Sequence, residues 1–144
     1  FVSDAVSKGA VVLHGGRRVD RKGFFFEPTL LRVDDGRAEI RALKEEVFGP
    51  VLPIVPFDTE EEAVELANST PYGLQAAVFT ADYKKALRVA SGIKAGSVMI
   101  NDSTRVRFDA LPYGGVKNSG FGWREGVRST MYYFTEPKYL VIGM

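Results

Sequence analysis

Cysteine is missing from all 144 residues, and histidine occurs once, at position 14. No thiolate nucleophile, disulfide or thiolate metal site can be built from this chain. His14 alone cannot assemble a zinc site, and its place after the apolar run AVVL gives it a strand-end or surface role. An excess of one charge is missing too. The 19 Lys and Arg against 18 Asp and Glu leave a net +1, which offers no field for nucleic acid or an anionic membrane. Arg17, Arg18, Arg21 and Lys22 cluster, but in the turn-rich HGGRRVDRKG, which reads as a solvated loop. No apolar run reaches bilayer-spanning length and no signal-peptide pattern is found, so a cytoplasmic protein is expected. The sequons at Asn68 and Asn101 are then accidental. Phosphate-loop and hydrolase signatures, GxxxxGK[ST] and GxSxG, are also lacking. Gly120-x-Gly122 has neither a third glycine in place nor a strand before it, and Ser119 has no histidine other than distant His14 to form a triad.

What is present suits one core: 45% hydrophobic and 26% charged residues. The chain opens at Phe1 rather than methionine. FVSDAVSKG places Phe1, Val2, Ala5 and Val6 at helical spacing with no capping residue before them, as in a chain cut from a longer one. Residues 10–14 read as a short buried strand. Residues 23–33, GFFFEPTLLRV, are β-rich, and Pro28 within them suits an edge or a bend better than a central strand. VLPIVPF, residues 51–57, is a further strand made irregular by Pro53 and Pro56.

From there the pattern is regular. Thr59-x-x-Glu62 is a capping box opening a helix whose apolar face carries Ala63, Val64, Leu66 and Ala67. QAAVFT, residues 75–80, is a strand. A helix over residues 82–93 carries Tyr83, Ala86, Leu87, Ala90 and Ile93 on one side, and SVMIN, residues 97–101, is the next strand. Two strand–helix–strand units in succession predict an α/β fold, a three-layer arrangement of a mostly parallel sheet with flanking helices. Past Asn101 the periodicity dissolves into a long loop, and long loops in compact domains are usually functional. The tail MYYFTEPKYLVIG alternates and reads as a strand whose edge a partner chain would pair.

Two segments carry chemistry on more than one reading. PYGGVKNSGFG serves either tight turning and close backbone approach or a ligand loop. EEVFGP, residues 45–50, is either a strand start with exposed acids and Phe48 in the core, or a surface offering a carboxylate to hydroxyls and an aromatic face to a planar ring.

Taken together, KEEVFGPVLPIVPFDTEEEAVELANSTPYGLQAAVFT, KAGSVMIND, LPYGGVKNSGFG and FTEPK closely resemble the C-terminal part of the aldehyde dehydrogenase superfamily, over nearly the whole chain and in the family's order. The resemblance implies oxidation of an aldehyde to a carboxylate with NAD or NADP, through a thiohemiacetal on a cysteine that lies upstream of these residues together with the general base. It implies that Glu46 holds the nicotinamide-ribose hydroxyls and that Phe48 packs near the nicotinamide. By the same resemblance Asn101 is expected beside the active site and residues 102–113 in the aldehyde-pocket loop, with Asp102 and Tyr113 among its residues. In that loop Arg105 and Arg107 either recognise an anionic aldehyde or face solvent or pair with Asp102 or Asp109. The expected division is a catalytic-domain portion over residues 1–129 and an oligomerisation strand over residues 130–144, in a homodimer or tetramer. The chain alone is expected to be inactive. The competing reading is a non-catalytic, dehydrogenase-derived module for oligomerisation or binding.

Overall fold

The computed structural model describes residues 1–143. The chain divides into two compact units, Phe1–Pro71 and Tyr72–Met144.

In the first unit, helix α1 (Val2–Ser7) precedes strands β1 (Val11–His14) and β2 (Thr29–Arg32), a four-residue helix α2 (Arg41–Lys44), strand β3 (Val51–Ile54) and helix α3 (Glu60–Asn68). The sheet order is β1-β2-β3, antiparallel between β1 and β2 and parallel between β2 and β3. Pro28 does not push its strand to an edge. It stands one residue before β2, outside the ladder, so β2 occupies the centre. The edge falls to β3, whose Pro53 lies opposite Leu31; an edge strand tolerates a missing N–H on its open side. Leu31 and Ile40 are the largest fully buried side chains, clustered with Ala5, Ala10, Val33 and Ala42. Strand β1 is exposed along its length rather than buried, because it has one neighbour and Val11 and Leu13 find no cover.

Helix α3 starts where the capping box places it. Thr59 Oγ1 accepts from the Glu62 N–H at 3.1 Å, while the Glu62 carboxylate reaches one residue further back than usual, to the Asp58 N–H at 2.8 Å.

The second unit holds β4 (Gln75–Val78), α4 (Tyr83–Gly92) and β5 (Ser97–Ile100), then a 3-10 turn at Lys117–Ser119 and helix α5 (Val127–Tyr133). Strands β4 and β5 pair in parallel across α4. Asp82 caps α4 by accepting from the Lys85 N–H at 3.1 Å, and that bond holds its carboxyl below the usual range. The α/β class holds, with two of the three described ladders parallel. The two strand–helix–strand units do not share a sheet, however. β3 pairs with β2, whose Leu31 seats the first unit's core, and among the described residues β4 pairs only with β5.

The tail departs from the expected strand. Residues 131–133 belong to α5, whose turns close through Thr130 N–H to Gly126 O at 2.8 Å and Phe134 N–H to Thr130 O at 3.0 Å. Residues 134–143 carry no regular structure and are exposed. Aromatic and β-branched composition makes a strand only where a neighbouring strand receives it.

Candidate functional site

Two candidate surfaces carry the residues singled out by sequence, one in each unit. In the first, α2 runs straight into EEVFGP. Its opening N–H, that of Arg41, donates to Asp4 Oδ2 at 2.9 Å, and its end is marked by Glu45 in extended conformation. Arg41 grips Glu45 with both arms, Nε to Oε1 at 2.8 Å and Nη2 to Oε2 at 2.9 Å, and its guanidinium lies 4.6 Å from the Phe1 ring centre. The fork holds the Glu45 carboxyl below its usual range. Asp4 is lowered as well, first by its hydrogen bond with Lys8 and then by the Arg41 N–H.

The two adjacent acids are thus unequal. Glu45 is engaged, whereas the exposed Glu46 makes no side-chain hydrogen bond or ion pair among the described residues. Val47 packs on the core cluster, and Phe48 is 92% exposed. The alternative that put Phe48 in the core is therefore wrong. Val47 takes the inward place instead. A carboxylate with free lone pairs two residues from an open aromatic face fits a sugar diol joined to a planar ring.

The second surface begins where β5 ends. Asn101 has φ +55°, a left-handed conformation that asparagine tolerates better than most residues. Its carboxamide closes on Thr80 beyond β4, accepting from the Thr80 N–H at 2.9 Å and donating to the Thr80 carbonyl at 3.0 Å. Asp102 accepts from the Ser103 N–H at 2.7 Å, a local turn. The loop is tied back to β4 by Gln75 Nε2, which donates to the Val106 carbonyl at 3.3 Å.

Neither arginine pairs with Asp102 or Asp109. Arg107 Nη2 donates to Glu125 Oε2 at 3.0 Å, and its guanidinium sits 4.5 Å from the Tyr113 ring centre. Tyr113 and Glu125 are bridged through their backbones, with N–H to O distances of 2.9 and 2.6 Å. The fold therefore brings Arg107 and Tyr113 into contact, leaves Arg105 exposed, and sets Asn101 and Asp102 at the strand end. Glu46 and Phe48 belong to the other unit.

Glu125 and Trp123 belong to this surface although no reading of the sequence placed them there, and Ser119 joins them from within PYGGVKNSGFG. Ser119 Oγ accepts from the Gly73 N–H at 3.0 Å, and Trp123 meets Tyr133 edge-on at 5.3 Å between ring centres. The signal for Glu125 was a lone carboxylate in WREG, which no local spacing links to an arginine eighteen residues away. Between the glycine-rich turn and these residues lies a cleft of about 700 Å³, lined by Tyr113, Lys117, Ser119, Phe121, Trp123 and Glu125 among others. The glycines serve close approach: a Cβ at Gly115 would collide with the Ser119 backbone, and one at Gly120 with that of Gly115.

Comparison with known proteins places these surfaces in context. The family model "Aldehyde dehydrogenase family" matches residues 1–140. This chain belongs to that family. Aldehyde dehydrogenase relatives similar to it include the peroxisomal aminoaldehyde dehydrogenase 2 of Pisum sativum, 50% identical over 124 residues, covering 85% of this chain and 24% of the relative. A probable succinate-semialdehyde dehydrogenase [NADP(+)] of Sinorhizobium fredii is 44% identical over 142 residues, 99% of this chain and 28% of its own. Among solved structures, betaine aldehyde dehydrogenase of Staphylococcus aureus in complex with NAD+ superposes with a TM-score of 0.82 at 43% identity, covering 92% of this chain and 26% of that one. The chain thus spans about a quarter of the length of the aldehyde dehydrogenases it matches.

Proposed function

We propose that this chain works as part of an NAD(P)-dependent aldehyde dehydrogenase that oxidises an aldehyde to a carboxylic acid. The observation that carries the reading is the family match over residues 1–140, which contains both candidate surfaces. Glu46 and Phe48 take the nicotinamide riboside end of the cofactor, the carboxylate accepting from the ribose hydroxyls and the ring packing on the planar base. Bound there, NAD or NADP supplies the hydride acceptor. Asn101 and residues 102–113 border the aldehyde. The nucleophilic cysteine is supplied from outside this sequence, which contains none, and we assign the general base to the same missing part.

The substrate is a small aldehyde, and Arg105 is the residue suited to an anionic one. Arg107 is already matched by Glu125, which leaves its charge largely answered. Arg105 is exposed in the same loop. The name of the Sinorhizobium relative, with its carboxylate-bearing substrate, agrees with this reading. The active form is a homo-oligomer paired through the tail beyond residue 130, and it resides in the cytoplasm.

The deciding experiment assays cofactor reduction by the full-length gene product and by residues 1–144 alone, over neutral and anionic aldehydes. Turnover by the full-length protein and none by the short chain is expected. Turnover by the short chain near the full-length rate overturns the assignment of the nucleophile. Arg105→Ala should raise KM for anionic aldehydes selectively; an equal rise for neutral ones removes anion recognition.

A further inference from the structure

We propose that Arg41 and Glu45 are positioning residues for the cofactor surface: their two-armed ion pair sets which way the EEVFGP segment faces, and so presents Glu46 outward. The inference rests on the reading of Glu46 as the ribose acceptor.

The argument starts from two adjacent carboxylates. Residues one apart in a non-helical segment point to different sides, and residues two apart share a side. Burial over residues 46–48 follows that rule, with Val47 packed on the core cluster and Glu46 and Phe48 exposed on either side of it, while Glu45 before them is exposed and is held by its ion pair instead. Val47 alone is a weak determinant of that phase, since Phe48 is the larger apolar side chain and would bury more surface if the segment slipped by one. A slip would also turn Glu46 toward the core. The Arg41–Glu45 fork opposes it. Glu45 is the first residue after α2, its N–H donates to the Arg41 carbonyl at 2.8 Å, and its carboxylate is held at two points by the same residue. Backbone and side chain of Glu45 are therefore both tied to Arg41.

Arg41 is itself fixed from behind. Its N–H donates to Asp4, whose carboxylate also bridges Lys8 at 2.7 Å, and Lys8 donates to the Glu39 carbonyl at 2.6 Å. The Phe1 ring covers the guanidinium. At the last residue of the segment, the Thr29 N–H donates to the Pro50 carbonyl at 2.7 Å and ties that end to β2. The loop is anchored at both ends, and its outward face is what remains.

The test is a coupling measurement in the full-length protein, with NAD+ and NADP+ titrated separately and the dissociation constant read by calorimetry. Arg41→Met and Glu45→Gln should each weaken binding about two- to fivefold, the scale of one exposed ion pair. Glu46→Gln should weaken it about tenfold or more, as loss of a charged acceptor does. The decisive variant is Arg41→Met combined with Glu46→Gln. It should bind within about twofold of Glu46→Gln alone, because a residue acting through Glu46 has nothing left to act on. Aldehyde KM should stay unchanged in Arg41→Met, and Arg41→Lys should recover part of the binding. Independent, multiplying losses in the double variant, or no loss in Arg41→Met and Glu45→Gln, overturn the positioning role while leaving Glu46 as acceptor. If Glu46→Gln binds as tightly as the unaltered protein, the ribose assignment falls and the positioning role falls with it. Should Arg41→Met not fold, Glu45→Gln with Glu46→Gln gives the same comparison.

Discussion

Asn101 and Thr80 form a closed two-bond pair: the carboxamide accepts from the Thr80 N–H at 2.9 Å and donates to the Thr80 carbonyl at 3.0 Å. The side chain substitutes for one more rung between β4 and β5, past the last backbone pair of Val78 with Ile100. Replacing it should loosen the strand ends before it alters any chemistry. Asn101→Ala loses both bonds and keeps the φ +55° that alanine tolerates poorly, at a cost of about 1–3 kcal/mol. Asn101→Gly should cost less, since glycine accepts that backbone. Hydrogen exchange at the Thr80 amide reads the effect directly; unchanged protection in Asn101→Ala contradicts it.

The corner between α1 and α2 should be acid-sensitive. Asp4 is lowered first by its bond with Lys8, and Glu45 first by Arg41. Groups whose folded pKa is depressed contribute stability above their unfolded pKa and lose it as pH falls through the folded value. Protection of the Arg41 amide should therefore decline as pH drops below about 4. Asp4→Asn should flatten that decline, and an unaltered profile in Asp4→Asn argues against this cause.

Glu125→Gln should free Arg107 from its ion pair. Both side chains are about half exposed, so the loss in stability is small, about 1 kcal/mol or less. The larger expected effect is on selectivity. With the pair broken, Arg107 gains an unanswered charge beside Tyr113, and KM for an anionic aldehyde in the full-length protein should fall relative to a neutral one. A parallel change in both KM values counts against this account.

Gly96 should accept no side chain. Its N–H lies 3.0 Å from the Gly73 carbonyl, and a Cβ added there lands on the Gly114 carbonyl oxygen. Backbone must move, because the obstructing atom is no flexible side-chain end. Gly96→Ala should cost about 1–3 kcal/mol, as overpacking does. A thermal melt that matches the unaltered protein disproves the contact.

The parts legible in the sequence were those written in local chemistry. The capping box at Thr59 announced the start of α3, and the β4–α4–β5 unit followed from periodicity alone. What escaped was long-range. Pro28 suggested an edge or a bend because the sequence does not say that β2 begins one residue later. Helix α2 is a single turn and too short to show a period. The tail's alternation suggested a strand, but no described strand lies alongside it, and residues 127–133 satisfy their own backbone as a helix. At the candidate surfaces, the resemblance pointed to Glu46, Phe48 and Tyr113, whereas the Glu125 partner of Arg107 is set by folding and has no local spacing.

The two parallel ladders have one consequence for the order of folding. Thr29 pairs with Val51 and Gln75 with Ser97, the same sequence offset in both. Loop closure therefore costs each pair a similar entropy on length alone. What differs is the connecting segment. Between β4 and β5 it is largely the capped ten-residue α4, which orders locally and on the microsecond scale. Between β2 and β3 it holds only the four residues of α2 in helix. The β4–β5 ladder should close first, and substitutions in α4 should slow folding where those in α2 mainly hasten unfolding.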